Sequence, residues 1–139
     1  MLYTWTNYTV LIAEDDPISF KYLQLLLEKR TGIRIIWAKD GKEACIKALN
    51  MPEIDIVLLD LQLPEMNGVL VLEEIKKNNP YLPVLIQTAN SWNNEEEICY
   101  KIGCDGFFPK PINVDLLFEK MNKFITIYTK QKSLQQTIN

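Results

Sequence analysis

The feature that most constrains the fold of this 139-residue chain is an alternation of short apolar runs with longer amphipathic segments. The runs occupy residues 8–13, 33–38, 54–59, 83–88 and 106–108. They are apolar without strict alternation, which is typical of strands buried on both faces. Five strands that alternate with five helices predict an α/β domain, in which helices cover both faces of a parallel sheet.

Capping residues predict where the helices begin. Asp16 and Pro17 have the pattern of an N-cap followed by proline at the first helical position, and this helix is predicted to run to about Arg30. Asp40 and Glu43 form a capping-box pattern for the second helix. The third and last helices are predicted to begin after Asn67 and Asn113. The predicted apolar face of the first helix consists of Ile18, Tyr22, Leu25 and Leu26, and that of the last consists of Leu117, Met121 and Phe124.

The chain is predicted to contain one domain, at residues 8–127, which is long enough to bury a core. Residues 1–7 have the character of a linker stub. Residues 128–139 are polar, and we predict a tail that frays.

The composition excludes several functions. The net charge of −3 and a pI near 5.0 give no support to direct nucleic-acid binding. No run of eighteen apolar residues and no signal-like start is present, so we expect no membrane contact and a cytoplasmic location. The three cysteines lack C-x-x-C spacing and are interpreted as buried thiols, with a disulfide or redox role as the alternative. Without histidine, the chain cannot form a Cys/His zinc site or a serine or cysteine triad.

Polar residues follow four of the predicted strands. Glu14, Asp15 and Asp16 follow the first strand, and Asp60 follows the third. Ligand sites of open parallel sheets lie beyond the carboxyl ends of the strands. If the first, third, fourth and fifth strands are neighbours, these residues converge on one pocket with Thr88, Ala89 and Lys110.

Such a pocket has a defined chemistry. Carboxylates that crowd together repel one another unless a cation joins them. Because all the donors are oxygens, the expected cation is Mg²⁺, with Mn²⁺ as a substitute. Lys110 and Thr88 add a positive charge and a hydroxyl donor for a phosphoryl group. With no Ser-His or Cys-His pair, Asp60 is the candidate nucleophile, which would form an aspartyl phosphate.

Four segments, VLIAEDDP, LLDLQLPEMNG, QTAN and FFPKP, stand in the order and spacing of a known family. Over residues 8–127 the chain resembles the receiver domain of two-component response regulators. The resemblance implies a flavodoxin-like (βα)5 fold, whose parallel sheet has the strand order 2-1-3-4-5. It also implies a phosphoacceptor, Asp60, that takes a phosphoryl group from phosphohistidine.

The resemblance implies a role for each residue of the pocket. Glu14, Asp15, Asp60 and the backbone carbonyl of Gln62 would bind magnesium. Thr88, Ala89 and Lys110 would bind the phosphoryl group, and the Lys110–Pro111 peptide would be cis. Thr88 and Phe107 would form a switch that changes the face made by helix four, strand five and helix five; a permanently buried Phe107 is the alternative.

The resemblance also implies partners. The phosphodonor would be a histidine kinase or a histidine phosphotransfer domain, in cis or in trans, and the chain would be a signalling domain that catalyses its own phosphorylation and dephosphorylation. The C-terminal receiver of a hybrid sensor kinase, at the cytoplasmic end of a membrane-bound protein, and a stand-alone regulator both stay open, as does a homodimer. Gln62 and Asn90 are expected to affect the rate of dephosphorylation. Trp92 is a candidate for contact with a partner.

Three alternatives fit parts of the pattern. A pseudo-receiver would be a pure interaction module, although such proteins lose an acid, the threonine or the lysine. A haloacid-dehalogenase-type phosphatase requires D-x-D after its first strand, where this chain has E-D-D. A flavodoxin-like cofactor binder would have a phosphate loop in place of the acids at residues 14–16.

Overall fold

A computed structural model describes residues 3–89 and 94–138 of the chain. Strands and helices alternate along it as predicted. The strands are β1 (Thr9–Ala13), β2 (Arg34–Ala38), β3 (Ile56–Asp60), β4 (Val84–Thr88) and β5 (Gly106–Pro109). The helices are α1 (Pro17–Thr31), α2 (Gly41–Asn50), α3 (Gly68–Asn78), α4 (Glu95–Ile102) and α5 (Val114–Ile138).

The strands form one parallel sheet in the order β2-β1-β3-β4-β5, which confirms the predicted fold. The order in which successive strands are added to the sheet reverses at β1, since β2 lies on one side of it and β3 on the other. This point is where open α/β sheets place their ligands, beyond the carboxyl ends of the strands. β1 and β3 therefore carry their terminal acids to the same edge.

Alternate strand residues belong to two cores, because successive side chains of a strand point to opposite faces. Leu11, Leu59 and Ile86 pack on the side of α2, α3 and α4. Ile12, Leu58 and Leu85 pack on the side of α1 and α5. Every residue of β1, β3 and β4 is buried, which explains why these strands read as continuous apolar runs.

The predicted N-caps are confirmed. Side-chain oxygens of Asp16, Asp40, Asn67 and Asn113 each accept a hydrogen bond from a backbone N–H of the first helical turn, at 2.7–3.2 Å. These bonds satisfy N–H groups that have no partner inside the helix.

The predicted apolar face of α1 is wrong for three of its four residues; only Leu26 packs against the core, and it is partly buried. Ile18, Tyr22 and Leu25 are 80%, 58% and 42% exposed, and the helix buries Phe20, Leu23, Leu27 and Thr31 instead. Both sets have helical spacing, since apolar residues occur around most of this helix. Periodicity could not separate the two stripes, and packing against the sheet selected the one that contains Phe20 and Leu23.

The N-terminal segment, which we predicted to be a linker, packs against the domain from residue 3 onward. Trp5 is 2% exposed, and its backbone N–H donates to the Thr31 carbonyl at 2.8 Å. Its indole N–H donates to Asn122 Oδ1 at 3.1 Å, and its ring lies 5.8 Å from that of Phe118. The indole thereby extends the core between the end of α1 and α5.

Residues 128–138, which we predicted to belong to a fraying tail, are part of α5, which continues to Ile138. Tyr128 is buried in the core on the α2–α3 side, and its hydroxyl accepts from Asn79 Nδ2 at 3.0 Å. Lys132 binds the segment before β3. These contacts supply the packing that a polar helix end lacks by itself.

Two of the predictions, for Asn90 and Trp92, concern residues that lie outside the described parts of the chain. Within the described parts, no helix is long and apolar enough to cross a membrane.

Candidate functional site

An acidic cluster lies where β1 and β3 end. Carboxylate oxygens of Glu14, Asp15 and Asp60 lie within 4.8 Å of one another. Ala13 and Leu59 are paired across the two strands, so the residues that follow them, Glu14 and Asp60, emerge at the same level. Glu14 and Asp60 are 1% and 4% exposed, whereas Asp15 is exposed. Parallel pairing therefore unites Glu14 and Asp60, which are 46 positions apart in the sequence.

Lys110 faces this cluster from the edge strand β5. Its Nζ lies 2.9 Å from Asp60 Oδ2 and 3.0 Å from Glu14 Oε1, and its backbone N–H donates to the Thr88 carbonyl at 2.8 Å. The Lys110–Pro111 peptide is cis, as the resemblance implied. Pro109, which lacks a backbone donor, is tolerated because β5 has a neighbour on one side only.

The surroundings of the site shift the pKa values of Glu14 and Lys110. Burial raises the pKa of Glu14, and the negative charge of Asp60 raises it further, while the hydrogen bond from Lys110 opposes both effects. Burial lowers the pKa of Lys110, but its hydrogen bonds to Asp60 and Glu14 outweigh that effect, so its pKa is raised overall. Among the described residues, one ammonium contacts two members of a cluster of three carboxyl groups, so the pocket is short of positive charge.

The loop after Asp60 is held closely against the end of β3. The Gln62 backbone N–H donates to Asp60 Oδ1 at 2.9 Å, and the Gly68 N–H donates to the Leu61 carbonyl at 2.9 Å. A Cβ atom on Gly68 would lie 2.5 Å from the Asp60 carbonyl oxygen. Glycine at position 68 therefore permits the close approach that orients Asp60.

Sequence reasoning missed two residues that support the site. Gly41, at the start of α2, donates its N–H to the Pro64 carbonyl at 3.0 Å, and a Cβ there would overlap the Met66 carbonyl oxygen. Trp37 donates its indole N–H to the Glu14 carbonyl at 2.8 Å. The Asp40-Gly41 pair could have indicated a close backbone approach at Gly41. No local sequence feature indicated the role of Trp37.

The remaining predicted residues lie at the same edge. Thr88 is fully buried at the end of β4, and Ala89 follows it on the surface. Phe107 is half-buried and packs against the core on the side of α2, α3 and α4. It is paired with Ile86, and residues two apart in a strand share a face, so Thr88 and Phe107 lie on the same side of the sheet.

The donor set fits a hard divalent cation. Three carboxylates within reach of one ion, without sulfur or imidazole, match the preference of Mg²⁺ or Mn²⁺ for oxygen ligands. Glu14, Asp15 and Asp60 could therefore hold a metal, and the shortage of positive charge in the pocket favours this.

Comparison with known proteins places this architecture in a family. The family model of the response regulator receiver domain matches residues 10–122. A hybrid signal transduction histidine kinase of Dictyostelium discoideum is 34% identical over 138 residues. The match covers 94% of this chain but only 8% of that protein, so the chain spans a small part of its length.

Solved structures agree with this assignment. A CheY-like receiver domain protein of Methanospirillum hungatei has a TM-score of 0.81 at 25% identity, over 89% of this chain and 98% of that one. The receiver domain of a sensor histidine kinase of Pseudomonas aeruginosa has a TM-score of 0.77 at 25% identity, over 86% and 98% of the two chains. In that structure a magnesium ion is coordinated in the active-site cleft. This chain belongs to the response regulator receiver domain family of two-component signalling.

Proposed function

We propose that the domain accepts a phosphoryl group on Asp60 from a phosphohistidine donor, in a reaction that depends on Mg²⁺. The observation that carries the proposal is the ion pair between Lys110 Nζ and Asp60 Oδ2, 2.9 Å long, beside the cluster of three carboxylates. A carboxylate that is buried, paired with a lysine and placed next to a cation site can act as a nucleophile on phosphorus.

In the proposed step, an Asp60 carboxylate oxygen forms a bond to phosphorus, and the bond between phosphorus and the donor's imidazole nitrogen breaks. The bonding electron pair leaves with the imidazole. Lys110 would transfer its contact from the carboxylate to a phosphoryl oxygen, where it offsets the added negative charge. Bound Mg²⁺, held by Glu14, Asp15, Asp60 and the Gln62 carbonyl, would supply further charge neutralisation.

Thr88 and Phe107 form the proposed switch, and Ala89 assists in binding the phosphoryl group. Thr88 and the Ala89 backbone N–H would contact the phosphoryl group, and Phe107 would turn further inward as Thr88 moves. The half-buried position of Phe107, on the same side of the sheet as Thr88, supports this proposal. The face formed by α4, β5 and α5 would then change, and a partner would recognise it.

We propose a histidine kinase or a histidine phosphotransfer domain as the donor, which the hybrid kinase relative supports. In this proposal the domain catalyses its own phosphorylation and dephosphorylation and turns over no separate substrate. Its cytoplasmic location and a homodimer stay predictions.

The test is intact-mass spectrometry after incubation with Mg²⁺ and acetyl phosphate. We expect one labile phosphoryl adduct on the wild type and none on Asp60→Asn. Asp115→Asn, at an exposed position on α5, is the matched control and should behave as the wild type does. EDTA should abolish the adduct. A persistent adduct on Asp60→Asn would contradict the assignment of the nucleophile.

Two outcomes would favour the alternatives. If Mg²⁺ binds but neither acetyl phosphate nor a phosphohistidine donor gives an adduct, the domain is a pseudo-receiver. Multiple turnovers of a phosphate monoester would instead identify a phosphatase.

A further inference from the structure

A cavity of about 430 Å³ lies between α1 and the segment that follows β5. Ile18, Tyr22 and Leu23 of α1 form one wall, and Pro111 and Ile112 form the opposite wall. Its volume lies within the range of about 300–1,000 Å³ that small-molecule sites occupy, and most of its lining is apolar, as is usual for such sites.

Gln87 is the unusual member of the lining. It is 4% exposed and lies two residues beyond Leu85, so its side chain faces the α1 and α5 side of the sheet. In the described part of the chain, its Nε2 has no hydrogen-bond acceptor. Native proteins rarely leave a buried amide donor without a partner, because the donor has lost its hydration and gained nothing in return.

We propose that this cavity binds a small, neutral, largely apolar molecule that carries one hydrogen-bond acceptor, such as a ketone or an amide carbonyl. The apolar body would occupy the space between α1 and Pro111, and the acceptor would take the hydrogen bond of Gln87 Nε2. The terminal torsion of glutamine is broad, so the amide can turn toward the cavity at little cost.

The charges near the cavity select a neutral acceptor over an anion. Lys110 also lines the cavity, but its ammonium already binds Asp60 and Glu14. Asp60 is the strand partner of Gln87, and together with Glu14 and Asp15 it makes this edge of the sheet negative. A carboxylate in the cavity would therefore be repelled. Lys110 is shared between the cavity and the site that contains Asp60.

The test uses acetophenone, which has an aromatic body and one carbonyl, and benzoate, which has a similar shape and a negative charge. In ¹H–¹⁵N spectra of the whole chain, acetophenone should shift the Gln87 side-chain amide and the backbone amides of Ser19 and Ile112 saturably. We expect a dissociation constant of about 10 mM, the order that an ordinary ligand efficiency gives for a molecule of this size. Benzoate should bind more weakly.

Gln87→Met removes the donor at nearly constant volume and should weaken acetophenone binding about fivefold to tenfold. It should also raise the midpoint of thermal unfolding, because it removes an amide without a partner. No saturable shift, equal affinity of wild type and variant, or a lower unfolding midpoint would each overturn the proposal. None of these readouts requires phosphorylation, so they are separable from the function proposed for Asp60.

Discussion

Lys132 and Asp55 form an ion pair of 2.9 Å that joins the far end of α5 to the start of β3, across 77 residues of sequence. The Lys132 ammonium also donates to the Pro52 carbonyl at 3.0 Å. The second Asp55 oxygen accepts the Thr9 N–H at 2.9 Å. Lys132 thus connects α5 to the edge of the sheet where the strands begin, opposite the acidic cluster.

Lys132→Met should lower the free energy of unfolding by about 1–2 kcal/mol, because the buried Asp55 carboxylate and the carbonyls lose their donor. Urea denaturation followed by circular dichroism measures this. Lys130→Met, at an exposed position on the same helix, is the control and should change stability by less than about 0.5 kcal/mol. Equal effects of the two substitutions would mean that the ion pair contributes nothing.

Trp5 should contribute strongly to stability although it lies near the amino terminus. Trp5→Ala removes a buried indole that stacks on Tyr3 and contacts Phe118, and we expect a loss of about 3 kcal/mol in the free energy of unfolding. Tyr81→Ala removes a ring that is 58% exposed and should have little effect. A Trp5→Ala variant as stable as the wild type would show that residues 1–7 behave as the predicted linker.

Gly41 should be required for the conformation of the loop that follows Asp60 and hydrogen-bonds to its carboxylate. Gly41→Ala places a methyl group against the Met66 carbonyl, and the resulting displacement should cost about 1–3 kcal/mol. Phosphorylation by acetyl phosphate should also be slower, since the same loop orients Asp60. Lys42→Ala, at the next and exposed position, is the matched control. An unchanged phosphorylation rate in Gly41→Ala would separate this glycine from the site.

The cysteines should differ in reactivity. Burial raises the pKa of Cys99 to about 11 and that of Cys104 to about 12, so the folded protein holds almost no thiolate at either position at neutral pH. Iodoacetamide should therefore modify the half-buried Cys45 first, and Cys99 and Cys104 only after unfolding, as peptide mapping would reveal. Early labelling of Cys99 would contradict the buried environment.

These thiols also predict a pH dependence of stability. The ordinary pKa of a cysteine thiol, 9.0, is lower than both raised values, so the unfolded chain ionises first as the pH rises. Ionisation of the unfolded state stabilises it, and the free energy of unfolding should fall above about pH 9. Cys99→Ala with Cys104→Ala should flatten this dependence in urea titrations at pH 8 to 10. If the double substitution leaves the pH dependence of the free energy of unfolding unchanged, groups other than these two thiols cause it.

The sequence by itself determined the order of the elements, the helix caps and the set of residues at the strand ends. These features depend on local rules: continuous burial marks strands of a parallel sheet, and Asp16, Asp40, Asn67 and Asn113 satisfy N–H groups within three residues of themselves. Parallel pairing then brings Glu14, Asp60 and Lys110 together, because the carboxyl ends of parallel strands all lie at the same edge of the sheet.

Only the tertiary structure decided which face of α1 is buried, where Trp5 packs and how far α5 extends. Ile18 and Tyr22 match helical periodicity as well as Phe20 and Leu23 do, so the choice depends on the sheet that the helix covers. The polar end of α5 is ordered by Asp55 and Asn79, which lie far away in the sequence. Gly41 meets Met66 only after the chain has folded. In each case the stabilising contact joins residues whose separation in space is set by the whole fold, and no local pattern encodes that separation.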